Sequence, residues 1–402
     1  MEIITKNPKF YRLILKPTVG STKGLLLVSD FIAGRHKIGV SLKVLHVITT
    51  LDKGGAENQL RSLVNCQART GLEVSVLSLR KANKIENSGF SSCVKVYSLV
   101  ELRKPSFLKG ILDFLSSKAL VHAHLPRAEI LARLMLVGRR NIFVISRHNT
   151  EPLWPFGGSW LSMLLSQLVT RRSDAIIAIS DSVREYQIAQ RYISKQNLNK
   201  VKVIHYGIEL TKAKPSYNLD RFRFRIGTIA RLVAQKDIST LIMAFFMLSA
   251  RDPNPWKLYI AGEGDMKSTL EKQITDLGIG HRVFLLGRTD KVDDFLANID
   301  IFALSSRYEG FGLVLLEAMR SCLPIVATRT SAIPEVLGMS HKGLVPVGDP
   351  ESMSKKFENL VEVGNRSRLI EEGTSRLKMF DIEEKQIQLH NLYSHLLKTG
   401  EF

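Results

Sequence analysis

Short apolar runs of about four to seven residues recur along the chain, each followed by a longer stretch with apolar positions at helical spacing. A first series of runs predicts strands at 42–48, 73–79, 120–123, 142–146 and 175–179. A second series predicts strands at 225–230, 257–261, 282–286, 299–304 and 324–328. The apolar residues are continuous within each run instead of alternating. Both faces of each strand are therefore expected to be covered. Strand then helix, repeated, implies a parallel sheet with right-handed crossovers. The stretch 382–397 is periodic and predicts a helix whose partner its periodicity does not reveal.

Two such series imply an α/β fold of two Rossmann-like domains. The break falls between Gly207 and Arg225, where the polar segment 211–218 holds one proline and reads as a linker. The organisation that follows is an extension at 1–41, an N-terminal domain at 42–210 and a linker at 211–224. A C-terminal domain at 225–380 and a C-terminal helix at 381–402 complete it. A length of 402 residues suits this division. Hydrophobic residues at 45% and charged residues at 24% exclude a disordered, collagen-like or multi-span membrane chain. There is no run of 18 apolar residues, so no transmembrane helix is expected. The apolar patch at 25–28 is followed by Arg35 and Lys37 instead of a small-residue cleavage site, so no signal peptide is expected. Cys66, Cys93 and Cys322 are scattered and form no C-x-x-C, which points away from a zinc knuckle or disulfide framework and towards the cytoplasm.

Charge adds an asymmetry. The chain carries a net +19, and residues 1–210 hold 31 Lys and Arg against 14 Asp and Glu. Residues 211–402 hold 26 against 24 and are close to neutral. The first half should therefore attract an anionic membrane surface, a phosphate-bearing substrate or nucleic acid. Residues 1–41 alone carry seven basic against two acidic residues, and suit a basic arm, an extra helix or an extension without a role.

Three segments are placed to do chemistry. Thr49-Thr-Leu-Asp-Lys-Gly54-Gly55-Ala-Glu57 follows a strand and opens a helix. Gly54 and Gly55 would let a ligand approach the backbone, and the helix N-terminus offers free N–H groups to an anion. A plain tight turn fits the same residues. Arg231 and Lys236 leave the carboxyl end of the first strand of the second series, where open α/β sheets bind ligands. Together they could grip a diphosphate and stabilise it as a leaving group. A solvated helix start is the plainer reading. The most specific segment is Ser306-Arg-Tyr-Glu309-Gly310-Phe311-Gly312-Leu313-Val-Leu-Leu-Glu317. Glu309 lies on a loop, a helix opens near Gly312, and the backbone N–H groups of Phe311–Leu313 suit a phosphate. A carboxylate can accept two hydrogen bonds from a vicinal diol. Glu317 therefore suits a ribose and Glu309 a hexose.

Two histidine segments sit at the ends of first-series strands: His122-Ala-His124 and Ser146-Arg147-His148-Asn149. His148 is the better-placed polar group. The His-x-His pair suits a metal, but no third ligand is evident. No Asp-x-Asp occurs either, so no metal is expected to bridge a diphosphate. The stretch 154–172 is aromatic at its start and basic at its end. It suits a helix at a lipid interface and equally a core helix with a basic C-terminus.

Taken in order, these residues resemble glycosyltransferase family 4, the retaining GT-B enzymes. The resemblance spans roughly 42–400. It rests on Gly54-Gly55-Ala-Glu57, Arg231 with Lys236, Ala261-Gly262-Glu-Gly264, Glu309-x7-Glu317, Ala332-Ile-Pro-Glu335-Val and Gly348-Asp-Pro350. It implies two Rossmann-like domains facing each other across a cleft, with Arg231 and Lys236 on the donor diphosphate. Glu309 would contact the donor sugar and Glu317 the ribose. Gly55 would approach the donor phosphates or the acceptor. His148 matches the family's active-site histidine near the sugar. The family's C-terminal helix crosses back to the N-domain, which gives 382–397 a place. The chain departs from the pattern in its front extension and at Asp237, where the family often has glycine. The aspartate is expected to stiffen that turn slightly.

The implied reaction is hexose transfer, with retention, from a nucleotide diphosphate sugar (UDP-linked) to a hydroxyl of a saccharide acceptor. No cofactor is called for. With the basic half on the acceptor side, the expected acceptor is lipid-linked and belongs to polysaccharide, O-antigen or capsule assembly. The expected location is the cytoplasm, peripheral on the cytoplasmic face of the membrane. A nucleotide-sugar epimerase of the same fold needs no acceptor and is the first rival. A nucleic-acid binder is the second, against which the basic residues show no aromatic interleaving or recognised module. A dinucleotide dehydrogenase is disfavoured because no G-x-G-x-x-G follows either first strand.

Overall fold

A computed structural model describes residues 42–52, 54–80, 89–101, 105–116, 119–148, 159–210 and 222–399. The extension 1–41, the linker segment 211–218, Lys53, Asn149 and the aromatic start at 154–158 lie outside the described residues.

The first series forms a parallel sheet of β1 (Lys43–Ile48), β2 (Glu73–Ser78), β3 (Lys95–Ser98), β4 (Leu120–His124), β5 (Ile142–Arg147), β6 (Ala175–Ala178) and β7 (Val201–Val203). The second forms β8 (Arg225–Ile229), β9 (Lys257–Ala261), β10 (Val283–Gly287), β11 (Ile301–Leu304), β12 (Ile325–Thr328) and β13 (Leu344–Val345). The helices beside the first sheet are α1 (Gly55–Arg69), α2 (Pro105–Ser116), α3 (Pro126–Met135), α4 (Ser159–Arg172) and α5 (Asp181–Ala189). Those following β8 are α6 (Ile238–Arg251), α7 (Lys267–Asp276), α8 (Val292–Ala297), α9 (Leu313–Arg320), α10 (Ile333–Leu337), α11 (Pro350–Asn359), α12 (Val363–Leu377) and α13 (Ile382–Thr399).

Strand order is β3-β2-β1-β4-β5-β6-β7 in one sheet and β10-β9-β8-β11-β12-β13 in the other. Each order reverses direction once, between β1 and β4 and between β8 and β11. A crevice opens outside the carboxyl ends of the strands at such a switch point. Every strand in both sheets is parallel to its neighbours, as continuous apolar runs require. Val44, Leu45, Val47 and Ile48 of β1 are fully buried. In α6 the buried positions Ile238, Leu241, Ile242, Phe245 and Leu248 follow the helical repeat and pack with Trp256 and Phe357. Trp256 is wholly enclosed, and its indole N–H donates to Asp252 Oδ2 at 2.9 Å. Ser180 and Asp349 each accept a backbone N–H at a helix start, which satisfies groups the helix itself cannot pair.

Strands β3, β7 and β13 were not expected. They are two to four residues long, and all three lie at sheet edges. The predicted run 299–304 starts pairing only at Ile301. Asp300 turns its carboxylate to the backbone N–H groups of Arg223 and Arg225.

The chain runs between the sheets at two adjacent points. Ile208 pairs with Asp381, with Ile208 N–H donating to Phe380 O at 2.8 Å and Ile382 N–H to Ile208 O at 3.1 Å. A Cβ on Gly207 would lie 2.7 Å from Ile382 Cα, so only glycine lets the strands of this crossing pass. Beyond it α13 lays Leu389, Leu392, Tyr393 and Leu396 against Val44, Leu63, Leu120 and Val144 of the first sheet's layer. Among the described residues no helix is long and apolar enough to cross a membrane.

Candidate functional site

The loops leaving β8 and β11 are tied together. Gln235 Nε2 donates to Tyr308 O at 3.0 Å, Arg307 N–H to Gln235 O at 2.8 Å and Ser305 Oγ to Lys236 O at 2.9 Å. This knitting brings Lys236 Nζ to 2.5 Å from Glu309 Oε1, which also accepts from Ser306 Oγ at 2.7 Å. Arg231 is exposed on the same loop, with Nη2 3.4 Å from Gln235 Oε1. The structure thus joins Lys236 and Glu309 directly and leaves Arg231 on the same loop, against Gln235.

Asp237 follows Lys236 at φ 45°, ψ 46°, a left-handed conformation that favours glycine. Aspartate tolerates this region better than most residues. Its buried carboxylate is held by Arg307 Nε at 3.3 Å. The structure therefore accounts for both the glycine usual in the family and the aspartate here.

Gly262 and Gly264 serve a close approach between neighbouring loops. A Cβ on Gly262 would lie 1.8 Å from Ala230 O, and one on Gly264 would lie 2.2 Å from Leu232 O. These carbonyls flank Arg231, so the two glycines let the loop bearing it pack against the end of β9.

Gly312 caps α9 at φ 88°, and Leu313 opens the helix. Gly310 O accepts from Ser180 Oγ at 2.7 Å, which links this loop to the N-terminal half. The side chain of Phe311 is buried against Tyr206 and Phe380, with ring centroids 5.2 and 5.7 Å away. Glu317, on the second turn of α9, is half-buried. Burial pushes its carboxyl up to about 7, against the charge of Arg320 and with the help of Asp293.

In the N-terminal half, α1 begins after Gly54. A Cβ there would lie 2.3 Å from Glu57 Oε2, whereas a Cβ on Gly55 would meet open space. Glu57 is buried, which raises its carboxyl above the usual range. A hydrogen bond with its own backbone and the charges of Arg61 and Arg231 pull the other way.

His148 lies at the end of β5, where the sequence placed it, and the structure adds a histidine that sequence reasoning missed. His46, inside the apolar run of β1, is wholly buried. Its Nε2 lies 2.8 Å from Gln67 Oε1 and its Nδ1 2.9 Å from His124 Nε2. His124 Nδ1 lies 3.2 Å from His148 Nε2, and His148 Nδ1 is hydrogen-bonded to the Tyr206 hydroxyl. His122 stands beside this line, between the Tyr393 hydroxyl at 2.6 Å and Ser146 Oγ at 2.7 Å. His46 is thus a third imidazole next to the His-x-His pair, within the reach a metal ion would need. Every ring nitrogen of the three already has a hydrogen-bond partner. Burial is the main cause that lowers the imidazoles: His46 to about 4, His148 to about 3, His122 and His124 well below the ordinary value. Burial thus favours the neutral form of all four. The signal for His46 was a polar residue in the middle of the apolar run 44–48.

Two further pairs were not legible. Glu129 and Arg147, the residue before His148, form an enclosed ion pair at 3.0 Å. Glu335 of α10 accepts from the backbone N–H groups of Asp181 at 2.8 Å and Ser182 at 3.4 Å, and meets His205 Nε2 at 2.6 Å. Burial works against its ionisation, but the His205 contact and these backbone donors hold its carboxyl below the ordinary range.

Two doubly wound parallel sheets, with a cation–carboxylate cluster at the switch point of the second, define a GT-B glycosyltransferase. The chain belongs to glycosyltransferase family 4. Its residues 53–212 match the model described as Glycosyltransferase Family 4, and residues 211–376 match Glycosyl transferases group 1. It is 35% identical over 154 residues to the lipopolysaccharide core biosynthesis glycosyltransferase LpsE of Rhizobium meliloti, spanning 38% of this chain and 44% of that one. It is 25% identical over 363 residues, 85% of this chain and 95% of the other, to a Campylobacter jejuni enzyme. That relative is the GalNAc-alpha-(1->4)-GalNAc-alpha-(1->3)-diNAcBac-PP-undecaprenol alpha-1,4-N-acetyl-D-galactosaminyltransferase. The fold is shared with Anabaena HepE solved in complex with UDP-glucose, at TM-score 0.73 and 21% identity, covering 88% of this chain and all of that one.

Proposed function

We propose that this glycosyltransferase moves a hexose, with retention, from a UDP-linked sugar to a hydroxyl of a lipid-linked saccharide in cell-surface polysaccharide, O-antigen or capsule assembly. The observation that carries the reading is the contact of Lys236 with Glu309 beside Arg231 and the α9 N-terminus. In the proposed donor complex the diphosphate takes the Lys236 ammonium and the Arg231 guanidinium, and a hexose hydroxyl takes Glu309. Glu317 accepts from the ribose diol, and His148 stands near the sugar. As the bond from C1 to the β-phosphate breaks, negative charge grows on the departing diphosphate. In the proposed complex the two cations and the backbone N–H groups at Gly312–Leu313 meet that charge, so they stabilise the transition state more than the ground state. In the proposed step no carboxylate acts as a nucleophile. The acceptor oxygen bonds to C1 on the face the phosphate leaves, and its proton passes to a departing phosphate oxygen. The relatives named above, one on lipopolysaccharide core and one on an undecaprenol-linked saccharide, support the acceptor class.

A panel of nucleotide sugars screened by thermal shift tests the donor. Stabilisation by one or more UDP-sugars is expected, and no shift with any nucleotide sugar would remove the reading. The same titration over pH 5.5–8 reports on Glu317. A diol prefers the ionised carboxylate, and burial holds this carboxyl at about 7. Donor affinity should therefore rise with pH through about 7 and level off above it, and Glu317→Gln should flatten the curve. A wild-type curve without slope in that range would contradict the assigned role.

The membrane part of the reading rests on one face of the N-terminal half. Trp160, Leu164 and Leu168 are exposed at four-residue spacing along α4, which ends in Arg171 and Arg172. Leu134 and Val137, at the end of neighbouring α3, are exposed too, as is Arg140. Each basic residue near an anionic surface contributes roughly 1 kcal/mol at low salt. The protein should float with anionic vesicles at low salt and largely release at high salt. Leu164→Ser with Leu168→Ser should weaken the low-salt binding about 10-fold, from lost apolar burial. Absence of salt-sensitive binding would sink this part.

A further inference from the structure

The ring nitrogens of His46, His124 and His148 lie in one line of hydrogen bonds between Gln67 and Tyr206. A neutral imidazole has one N–H and one lone pair, so each ring must donate at one nitrogen and accept at the other. In such a line the direction at one end fixes the direction of every link. The end at Gln67 presents Oε1, which only accepts. His46 then donates from Nε2 and accepts at Nδ1. His124 repeats the pattern, His148 repeats it again, and the Tyr206 hydroxyl donates into His148 Nδ1. Gln67 and His46 are wholly buried and His124 nearly so, which keeps water from supplying the opposite direction. Burial also keeps the rings uncharged. A protonated ring would have two donors and would break the line.

We propose that Gln67, His46 and His124 are positioning residues that hold His148 as its Nε2–H tautomer and turn its Nδ1 lone pair to the Tyr206 side. This rests on the reading of His148 as a residue near the transferred sugar and adds a polarity to that contact. Tyr206 packs its ring on Phe311 of the loop before α9, so its hydroxyl stands where the two halves of the crevice meet. A cavity of about 30 Å³, lined by His124, His148 and Tyr206 among others, lies against this point and has room for one hydroxyl. A group that replaces the Tyr206 hydroxyl at Nδ1 must itself donate. The site therefore selects a sugar hydroxyl over a carbonyl or an ether oxygen.

Long-range proton–nitrogen correlation on protein labelled with ¹⁵N-histidine tests the assignment on the wild-type chain. The expected spectrum at neutral pH shows protonated Nε2 and unprotonated Nδ1 for His46, His124 and His148. Signals are assigned by single-histidine replacement. An Nδ1–H tautomer or an imidazolium at any of the three overturns the proposal. Gln67→Met keeps the volume and removes the accepting oxygen. His148 should then show mixed tautomers, and kcat/KM should fall about 10-fold, as when an outer hydrogen bond to a functional histidine is lost. An unchanged His148 spectrum with normal turnover in Gln67→Met overturns it as well. If Gln67→Met does not fold, the wild-type spectrum decides alone. The predicted tautomers in a protein that binds no nucleotide sugar would uphold the hydrogen-bond order and remove only the transferase site reading.

Discussion

Lys236→Ala is expected to lower kcat by about 10²–10³-fold, roughly 3–4 kcal/mol of transition-state stabilisation. Its effect on the fold should be small. The ammonium sits at the crevice, and Glu309 keeps its hydrogen bond from Ser306 when the lysine is gone. The loss should appear mainly in kcat, because the charge Lys236 meets grows as the diphosphate departs. Arg231→Ala should fall in the same direction, since the proposed donor complex sets both cations on the same leaving group. Steady-state turnover with the best donor, read beside the melting temperature, separates the two effects. Normal turnover in Lys236→Ala would end the leaving-group role.

Glu129→Ala is expected to be the most damaging substitution for the fold. It leaves Arg147 charged and enclosed without its partner, which costs about 3–5 kcal/mol. At roughly 2–4 °C per kcal/mol for a domain of this size, the melting temperature of the N-terminal half should drop by about 10 °C. Replacing both members, with Glu129→Leu and Arg147→Met, should recover most of the loss. The damage comes from the orphaned charge and not from the missing attraction. Calorimetry on the single and double variants checks this. A single variant as stable as the parent would show that the pair is not closed off from water.

The neighbourhood in the second half of the site could be read because its parts leave the carboxyl ends of two strands of one sheet. Arg231 and Lys236 follow one strand, Glu309 and Gly312 follow another, and the rule for open α/β sheets puts those strand ends together. The knitting of the two loops through Gln235, Ser305 and Ser306 then follows from that neighbourhood. Gly262 and Gly264 were legible as glycines, but their closest neighbours are the carbonyls of Ala230 and Leu232, across a strand pair that periodicity does not encode. His124 and His148 were legible at strand ends, but their link to His46 was not, because it crosses from β4 to β1. His46 and His124 are 78 residues apart, and Tyr393 reaches His122 across 271. The short strands β3, β7 and β13 escaped because so few residues carry no repeat; the sheet they join supplies their order.

A structure of the protein with UDP and its donor sugar tests the central claim most directly. The pyrophosphate is expected between Arg231, Lys236 and the mouth of α9, with the sugar at Glu309 and the ribose at Glu317. A nucleotide seated elsewhere, with Arg231 and Lys236 left facing water, would contradict the account.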